Sequence, residues 1–386
     1  MHILIIITDY GSFNNFLSEL AITMVQAGDI VDVICSEDKT IDIKDKHDYQ
    51  GYGINFHFIT FPRSFNIFKQ YKTSYRINKL IEVINPDLVH IHFTTGLFTT
   101  LLYKRPKYVT LGTIHGLGFP VLKGARKLIF KFVEYFCLGR IDQLFVLNKF
   151  DLDIIGGGSS QKAFMLDAVG LGCDLDRFNP ARFTGQHDSI KKNLHIAKED
   201  FVITYTGRFV AFKGFDLVVR SFLKLNNQHP GKFKLLLIGG PDSIHPNGLT
   251  DEEEKEYIRC KQIIKVGFTL QVEKYLSISD VFLFPSLKEG MPVCMIEALA
   301  MAVPAITADS RGCNDLIVHK QNGILLSAAP TIDEVVQAVE LLAESPELLQ
   351  QMKNFAMIDR GKFSRNIFIE RQIEVYNSIT SLIPRA

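Results

Sequence analysis

The chain has 386 residues, of which 47% are hydrophobic and 22% charged; this suits a folded protein of two or three domains and excludes wholesale disorder. Lys and Arg number 43 against 42 Asp and Glu, a net charge of +1, so no nucleic-acid partner is expected. Six widely spaced cysteines without a C-x-x-C argue against a disulfide scaffold or zinc ribbon and suit a reducing cytosol, and no run approaches the roughly 18 apolar residues of a membrane span.

The predicted elements begin with His2–Thr8. This apolar run lacks a basic leader and a small-residue cleavage site, so it reads as a strand rather than a signal peptide. Strands follow at Ile30–Ser36, Ile54–Thr60, Leu88–Phe93, Tyr108–His115 and Gln143–Leu147, with helical patterns at Ser12–Ala27 and Tyr71–Ile84. The polar stretch Asn179–Asp200 reads as a linker. The pattern then restarts with strands at Phe201–Gly207, Lys234–Gly239, Ile263–Val266, Val281–Pro285, Ala305–Ala308 and Ile324–Leu326. Helices are expected at Phe215–Asn227, Val272–Ile278, Pro292–Met301, Thr331–Leu342, Pro346–Met357 and Ser364–Ile379. Such alternation predicts an α/β chain of two doubly wound, Rossmann-like domains, 1–183 and 190–363, with a ligand in the cleft outside the strands' carboxyl ends.

Five segments have chemistry to offer. Gly11, between the first strand and first helix, permits a tight turn and a close ligand approach. His115 ends a strand before Gly116 and Gly118 and can donate to a sugar hydroxyl or a carbonyl. From Val121 to Val133, Lys123, Arg126, Lys127 and Lys131 alternate with large apolar residues, the pattern of a helix lying on an anionic membrane. Around it, Thr60–Phe150 carries fourteen Lys/Arg against four Asp/Glu, a local excess of ten positive charges. Arg208 and Lys213 lie five apart between Gly207 and Gly214 at a strand–loop–helix junction, where two cations and a helix N-terminus can clamp a diphosphate. Glu289 precedes a predicted helix and Glu297 lies within it. The free amides of Gly290, Met291 and Val293, with Pro292 as a first-turn residue, can cradle an anion, with one carboxylate at each end to accept hydroxyl protons. Gly156–Gly158 follows a short helix and reads as a cap or loop, and no strand–G-x-G-x-x-G–helix unit exists.

The order of these pieces resembles the retaining glycosyltransferases of family 4, with the two-domain GT-B fold. The residues that carry the resemblance are Gly207-Arg208 with Lys213-Gly214, and Glu289 and Glu297 as an E-x7-E set within Phe284-Pro285-Ser286 and Glu297-Ala298. Within the family the chain is similar to the capsular and lipid-linked oligosaccharide branch, on His115-Gly116-Leu117-Gly118-Phe119, Val146-Leu147-Asn148 and Val169–Phe178. The resemblance implies that Arg208 and Lys213 bind the donor diphosphate, with Gly11 and Gly290 close to the phosphates. It implies that Glu289 contacts the transferred sugar, Glu297 the ribose, and His115 the sugar near the reacting carbon. It further implies a UDP-activated hexose or N-acetylhexosamine donor, a polyprenyl-diphosphate-linked saccharide acceptor, and a cytoplasmic enzyme peripheral on the inner membrane face. The last helix, 364–386, is expected to cross back to the first domain. No carboxylate cluster sits where a diphosphate-bridging cation would need it, so neither metal nor cofactor is expected. The family often has a glycine pair in the first loop, and here Ser12 follows Gly11. The alternatives are a nucleotide-sugar epimerase of the same fold and a non-catalytic GT-B partner subunit.

Overall fold

The computed structural model describes residues 1–38, 48–62, 66–156 and 162–381. Arg63, Gly157 and Gly158 of the segments above, and residues 382–386 of the last helix, lie outside the described residues. The chain divides into two units: Met1–Ala168 with the chain from Phe368 onward, and Val169–Ile367.

The first unit is built on seven parallel strands: β1 (His2–Asp9), β2 (Ile30–Ser36), β3 (Ile54–Phe58), β4 (Leu88–His92), β5 (Val109–Ile114), β6 (Gln143–Val146) and β7 (Ala163–Phe164). Their order is β3-β2-β1-β4-β5-β6-β7, so the winding reverses between β1 and β4. Ile3 to Ile7 of β1 are fully buried, as a strand covered on both faces requires. The core gathers Leu4, Ile6, Ile34, Ile77, Val89, Ile91, Leu97 and Leu144.

The second unit has six parallel strands: β8 (Phe201–Phe209), β9 (Phe233–Pro241), β10 (Ile263–Gly267), β11 (Val281–Phe284), β12 (Ala305–Ala308) and β13 (Gly323–Leu326), in the order β10-β9-β8-β11-β12-β13. Here the switch falls between β8 and β11. The helix Phe215–Gln228 packs Phe215, Val218, Val219, Phe222 and Leu225 inward at helical spacing, each burial stabilising by about 1.5–3 kcal/mol. Tyr205, Phe233, Phe282 and Phe284 complete that core.

Several boundaries differ from the sequence expectation. Asn179–Asp200 is not a linker. It folds into a 3-10 turn, Pro180–Phe183, and a helix, His187–Asn193. Ile190 and Ile196 there pack with Val202, Leu236 and Ile278. The division falls instead at Ala168/Val169, because the segment after it is tied to the second unit. The Cys173 amide donates to the Phe363 carbonyl (2.8 Å) and the Arg365 amide to the Cys173 carbonyl (2.9 Å). The Arg360 guanidinium donates to the carbonyls of Leu175 and Phe178, both at 2.9 Å, and Phe178 is buried in the second core. Ser364–Ile367 belong there too. The last helix, Arg365–Ser381, enters the first unit at Phe368, where Tyr376 is fully buried and its hydroxyl lies 2.6 Å from His90 Nδ1. The expected helix at Ser12–Ala27 is two helices, Tyr10–Phe16 and Ser18–Gln26, meeting at Leu17. The helix expected from Tyr71 begins at Ile67, capped by the Asn66 side chain.

Candidate functional site

In the second unit, the loops after β8 and β11 flank the switch point. β8 ends in Gly207-Arg208-Phe209, and the 3-10 turn Ala211–Lys213 leads to Gly214 at φ +74°. A Cβ on Gly214 would lie 2.5 Å from the Pro285 carbonyl oxygen, so only glycine lets the loop close against the end of β11. That closure sets Lys213 Nζ 2.7 Å from Glu289 Oε1, and the Ser286 hydroxyl donates to the same oxygen at 2.8 Å. Arg311 Nε donates to the Glu289 carbonyl (2.9 Å), and the Ser310 hydroxyl to the Ser286 carbonyl (2.6 Å). Arg208 is half exposed and paired with Asp242 at 2.5 Å, and its guanidinium lies over the Phe212 ring. The two cations expected to be free for a diphosphate are therefore both held by carboxylates in this structure. The backbone amides of Ile244 and His245 and the Arg208 guanidinium hold the Asp242 carboxyl well below its usual range.

Pro292 was expected inside the first helical turn. It is instead the residue before the helix, which runs Val293–Ala300. Gly290 has a partner of its own. The amides of Met291, Val293 and Cys294 have no acceptor among the described residues, while those of Met295 and Ile296 turn back to the Pro292 carbonyl at 3.1 and 3.2 Å. With no acidic residue in its first turn, this helix end presents partial positive charge and open donors to an anion. Glu297, one turn on, is partly buried and makes no side-chain hydrogen bond or ion pair to a described residue. Burial pushes its carboxyl up to about 7, against the opposing pull of the Arg177 and Arg365 charges.

In the first unit, Gly11 is not in an open turn. It is buried in the first turn of Tyr10–Phe16, because Asp9 ends β1 and caps the helix directly by accepting from the Ser12 amide at 2.9 Å. His115 follows β5 and its Nε2 lies 3.2 Å from His92 Nδ1 at the end of β4. Burial pushes His115 down to about 3 and His92 well below its ordinary range, so both rings are neutral at physiological pH. His92 Nε2 is buried without a partner. A proton there would be a stranded donor, which proteins avoid more strictly than a stranded lone pair. His92 therefore carries its proton on Nδ1 and donates it to His115 Nε2. That leaves His115 protonated on Nδ1, a neutral donor.

Two buried carboxylates hold the loop after His115. Glu134 accepts from the Gly118 amide (2.7 Å), the Phe119 amide (3.2 Å) and the Thr94 hydroxyl (2.9 Å), and Asp151 accepts from the Leu117 amide (3.1 Å). Glu134 lies on the helix Gly124–Leu138, whose other side is exposed. Lys123, Arg126, Lys127 and Lys131 are exposed, as are Leu128 (69%), Ile129 and Phe132 (71%). His92 and Arg311 carry no sequence signal, and Ser286 enters only as part of the Phe284-Pro285-Ser286 motif. The one available signal was Glu134, a lone acid in a run of cations.

Among the described residues, no helix is long and apolar enough to cross a membrane, and no group of three His, Cys, Asp or Glu is placed to hold a metal ion.

Two parallel doubly wound sheets, of seven and six strands, are the architecture of the GT-B fold. The family model described as Glycosyl transferases group 1 matches residues 186–357, and that described as Glycosyl transferase 4-like matches residues 7–148. The chain belongs to this family of glycosyltransferases. It is 26% identical over 332 residues, 84% of this chain and 82% of the relative, to the UDP-Gal:alpha-D-GlcNAc-diphosphoundecaprenol alpha-1,3-galactosyltransferase of Escherichia coli. It is 25% identical over 334 residues, 82% of this chain and 83% of the relative, to the N,N'-diacetylbacillosaminyl-diphospho-undecaprenol alpha-1,3-N-acetylgalactosaminyltransferase of Campylobacter jejuni. Among solved structures it resembles sucrose-phosphate synthase from Thermosynechococcus elongatus, with a TM-score of 0.80 and 17% identity over 99% of this chain and 100% of that one.

Proposed function

We propose that the protein transfers a hexose or N-acetylhexosamine, with retention at the anomeric carbon, from a UDP-sugar to a polyprenyl-diphosphate-linked saccharide at the inner face of the cytoplasmic membrane, in surface polysaccharide synthesis. The observation that carries this reading is the Lys213–Glu289 pair beside the open amides of Val293 and Cys294. It is supported by two relatives whose names specify undecaprenyl-diphosphate-linked acceptors.

The chemistry follows from charge. Cleaving the bond from the anomeric carbon to the diphosphate sends its electron pair to the departing phosphate. Lys213, Arg208 and the helix amides stabilise that negative charge, and pre-oriented donors do so without reorganising at the moment of reaction. To reach the diphosphate, Lys213 exchanges its Glu289 partner for phosphate oxygen, which frees Glu289 to accept from the hydroxyls of the transferred sugar. Glu297 accepts from the ribose, and the His115 Nδ1–H donates to a sugar oxygen near the reacting carbon. The acceptor hydroxyl attacks on the face the diphosphate leaves, and its proton passes to a departing phosphate oxygen. The exposed cationic and apolar face of Gly124–Leu138 lies on the membrane.

A panel of UDP-sugars, incubated with and without a polyprenyl-diphosphate saccharide, tests the reading. Free UDP should appear quickly only with both substrates, and the new linkage should keep the donor's anomeric configuration by NMR. Conversion of the UDP-sugar without acceptor would favour the epimerase alternative, and an inverted product would refute retention.

A further inference from the structure

We propose that the helix Ile67–Ile84 carries the binding site for the lipid diphosphate of the acceptor. The proposal rests on the reading of a lipid-linked acceptor and assigns where its anionic head is held.

Lys69, Lys72 and Arg76 fall on one side of this helix, at intervals of three and four residues. None makes a side-chain ion pair or hydrogen bond to a described residue. By contrast, the nearby Lys79 and Lys104 pair with Glu82, and Arg105 with Asp142. The three unpaired cations line a groove of about 570 Å³ together with Thr60 and Thr73, against one carboxylate, Asp38. Three cations over seven residues span about 10 Å of helix. That length and charge suit the two negative charges of a diphosphate diester better than the single charge of a common anionic lipid.

The groove opens at the carboxyl ends of β2 and β3, where Asp38 and Thr60 follow the strands. In a parallel sheet this is the edge from which His115 emerges after β5. Beside the cation row the helix exposes an aromatic row: Phe68 (84% exposed), Tyr71 and Tyr75. The two tyrosines pack edge-on to Tyr103, at 5.5 and 5.2 Å between ring centroids. Cations beside aromatics on one exposed face match an anionic head joined to an apolar chain. The helix packs against Thr94–Leu101, as does the cationic helix Gly124–Leu138, so both exposed faces belong to one helical layer of the unit.

The test compares neutral phosphatidylcholine vesicles doped with polyprenyl diphosphate against vesicles doped with phosphatidylglycerol to equal surface charge. The full-length wild type should prefer the diphosphate vesicles. In the Lys69→Gln/Lys72→Gln/Arg76→Gln variant that preference should be lost, binding to the two vesicle types becoming equal, because general surface attraction is matched between them and only contacts to the diphosphate oxygens differ. Phosphatidylglycerol binding through Gly124–Leu138 should persist, and the KM for lipid-linked acceptor should rise while UDP affinity stays unchanged. Equal wild-type binding to both vesicle types would mean a general anionic-lipid surface and would overturn the site, as would a preference retained in a folded variant. If the wild type uses a lipid-linked acceptor and the variant's KM is unmoved, the site is wrong and the function stands. If no such acceptor is used yet the diphosphate preference depends on the three cations, the function is wrong and the site stands.

Discussion

Ionisation of the Glu297 carboxyl should cost the ligand-free protein stability that Glu297→Gln recovers, the gap between the two opening as pH rises from 4.5 to 8. Its pKa is lifted by burial from an ordinary 4.5 to about 7. The unfolded chain gives up this proton near pH 4.5 and the folded chain only near 7. Between the two, the folded state binds more protons at this group than the unfolded state, so its contribution to stability falls as pH rises, by about 1.4 kcal/mol per pH unit. Above pH 7 the accumulated loss is about 3 kcal/mol. Glu297→Gln keeps the shape and removes the charge. It should nearly match wild type at pH 4.5 and exceed it by about 3 kcal/mol at pH 8, read from urea midpoints at constant slope. The same ionisation should appear in binding. If, as proposed, a ribose hydroxyl donates to the carboxylate, affinity for a UDP-sugar should rise about tenfold per pH unit toward pH 7 and then level off. A UDP-sugar is the right probe because both its phosphates are esterified and do not titrate in this range. Parallel stability profiles for wild type and variant would refute the reasoning, because the titrating group would then lie elsewhere.

Four further outcomes are expected. Lys213→Ala and Arg208→Ala should each reduce kcat/KM by about 2–4 kcal/mol of transition-state stabilisation, the half-exposed Arg208 less than the enclosed Lys213; near wild-type turnover in either folded variant would remove that cation from the leaving-group site. Turnover should survive EDTA, since on the proposed reading Lys213, Arg208 and the helix amides meet the diphosphate's charge; loss on chelation with recovery in Mg²⁺ or Mn²⁺ would mean that a metal shares the charge. Reversing Lys123, Arg126, Lys127 and Lys131 to Glu should release the protein from anionic vesicles, and unchanged co-sedimentation would exclude this face. Imidazole ¹⁵N shifts should report His115 neutral and protonated on Nδ1 from pH 8 to pH 5, because its pKa is pushed down to about 3; the Nε2–H tautomer would reverse the direction of the His92 bond.

What could be read from the sequence were features confined to short stretches. The apolar runs of β1, β8 and β11 announce buried parallel strands, and the glycines and cations of Gly207–Gly214 sit at a visible strand–helix junction. Segments whose structure depends on distant partners stayed hidden. Asn179–Asp200 looks polar because a few scattered apolar residues, Phe183, Ile190, Leu194 and Ile196, are enough to hold it on the second sheet. The helix Asp251–Arg259 buries little beyond Tyr257, so it shows no apolar stripe, although Thr250 and Glu253 form a complete capping box. The pairing of Lys213 with Glu289 joins residues 76 apart. The contact of His92 with His115 crosses from β4 to the residue after β5, and no local pattern distinguishes His92 from His90 beside it.

The Lys213–Glu289 pair has a consequence for ligand choice. A bare phosphate drawing Lys213 away would leave Glu289 a charge without its cation in a largely enclosed place, with Ser286 its remaining donor. A molecule that brings hydroxyl donors next to its phosphates satisfies both halves of the broken pair at once. The resting pair thus works as a two-part lock. On the proposed reading, free phosphate and UDP would turn only one part and a nucleotide joined to a sugar would turn both, so the site would discriminate through what it loses on opening.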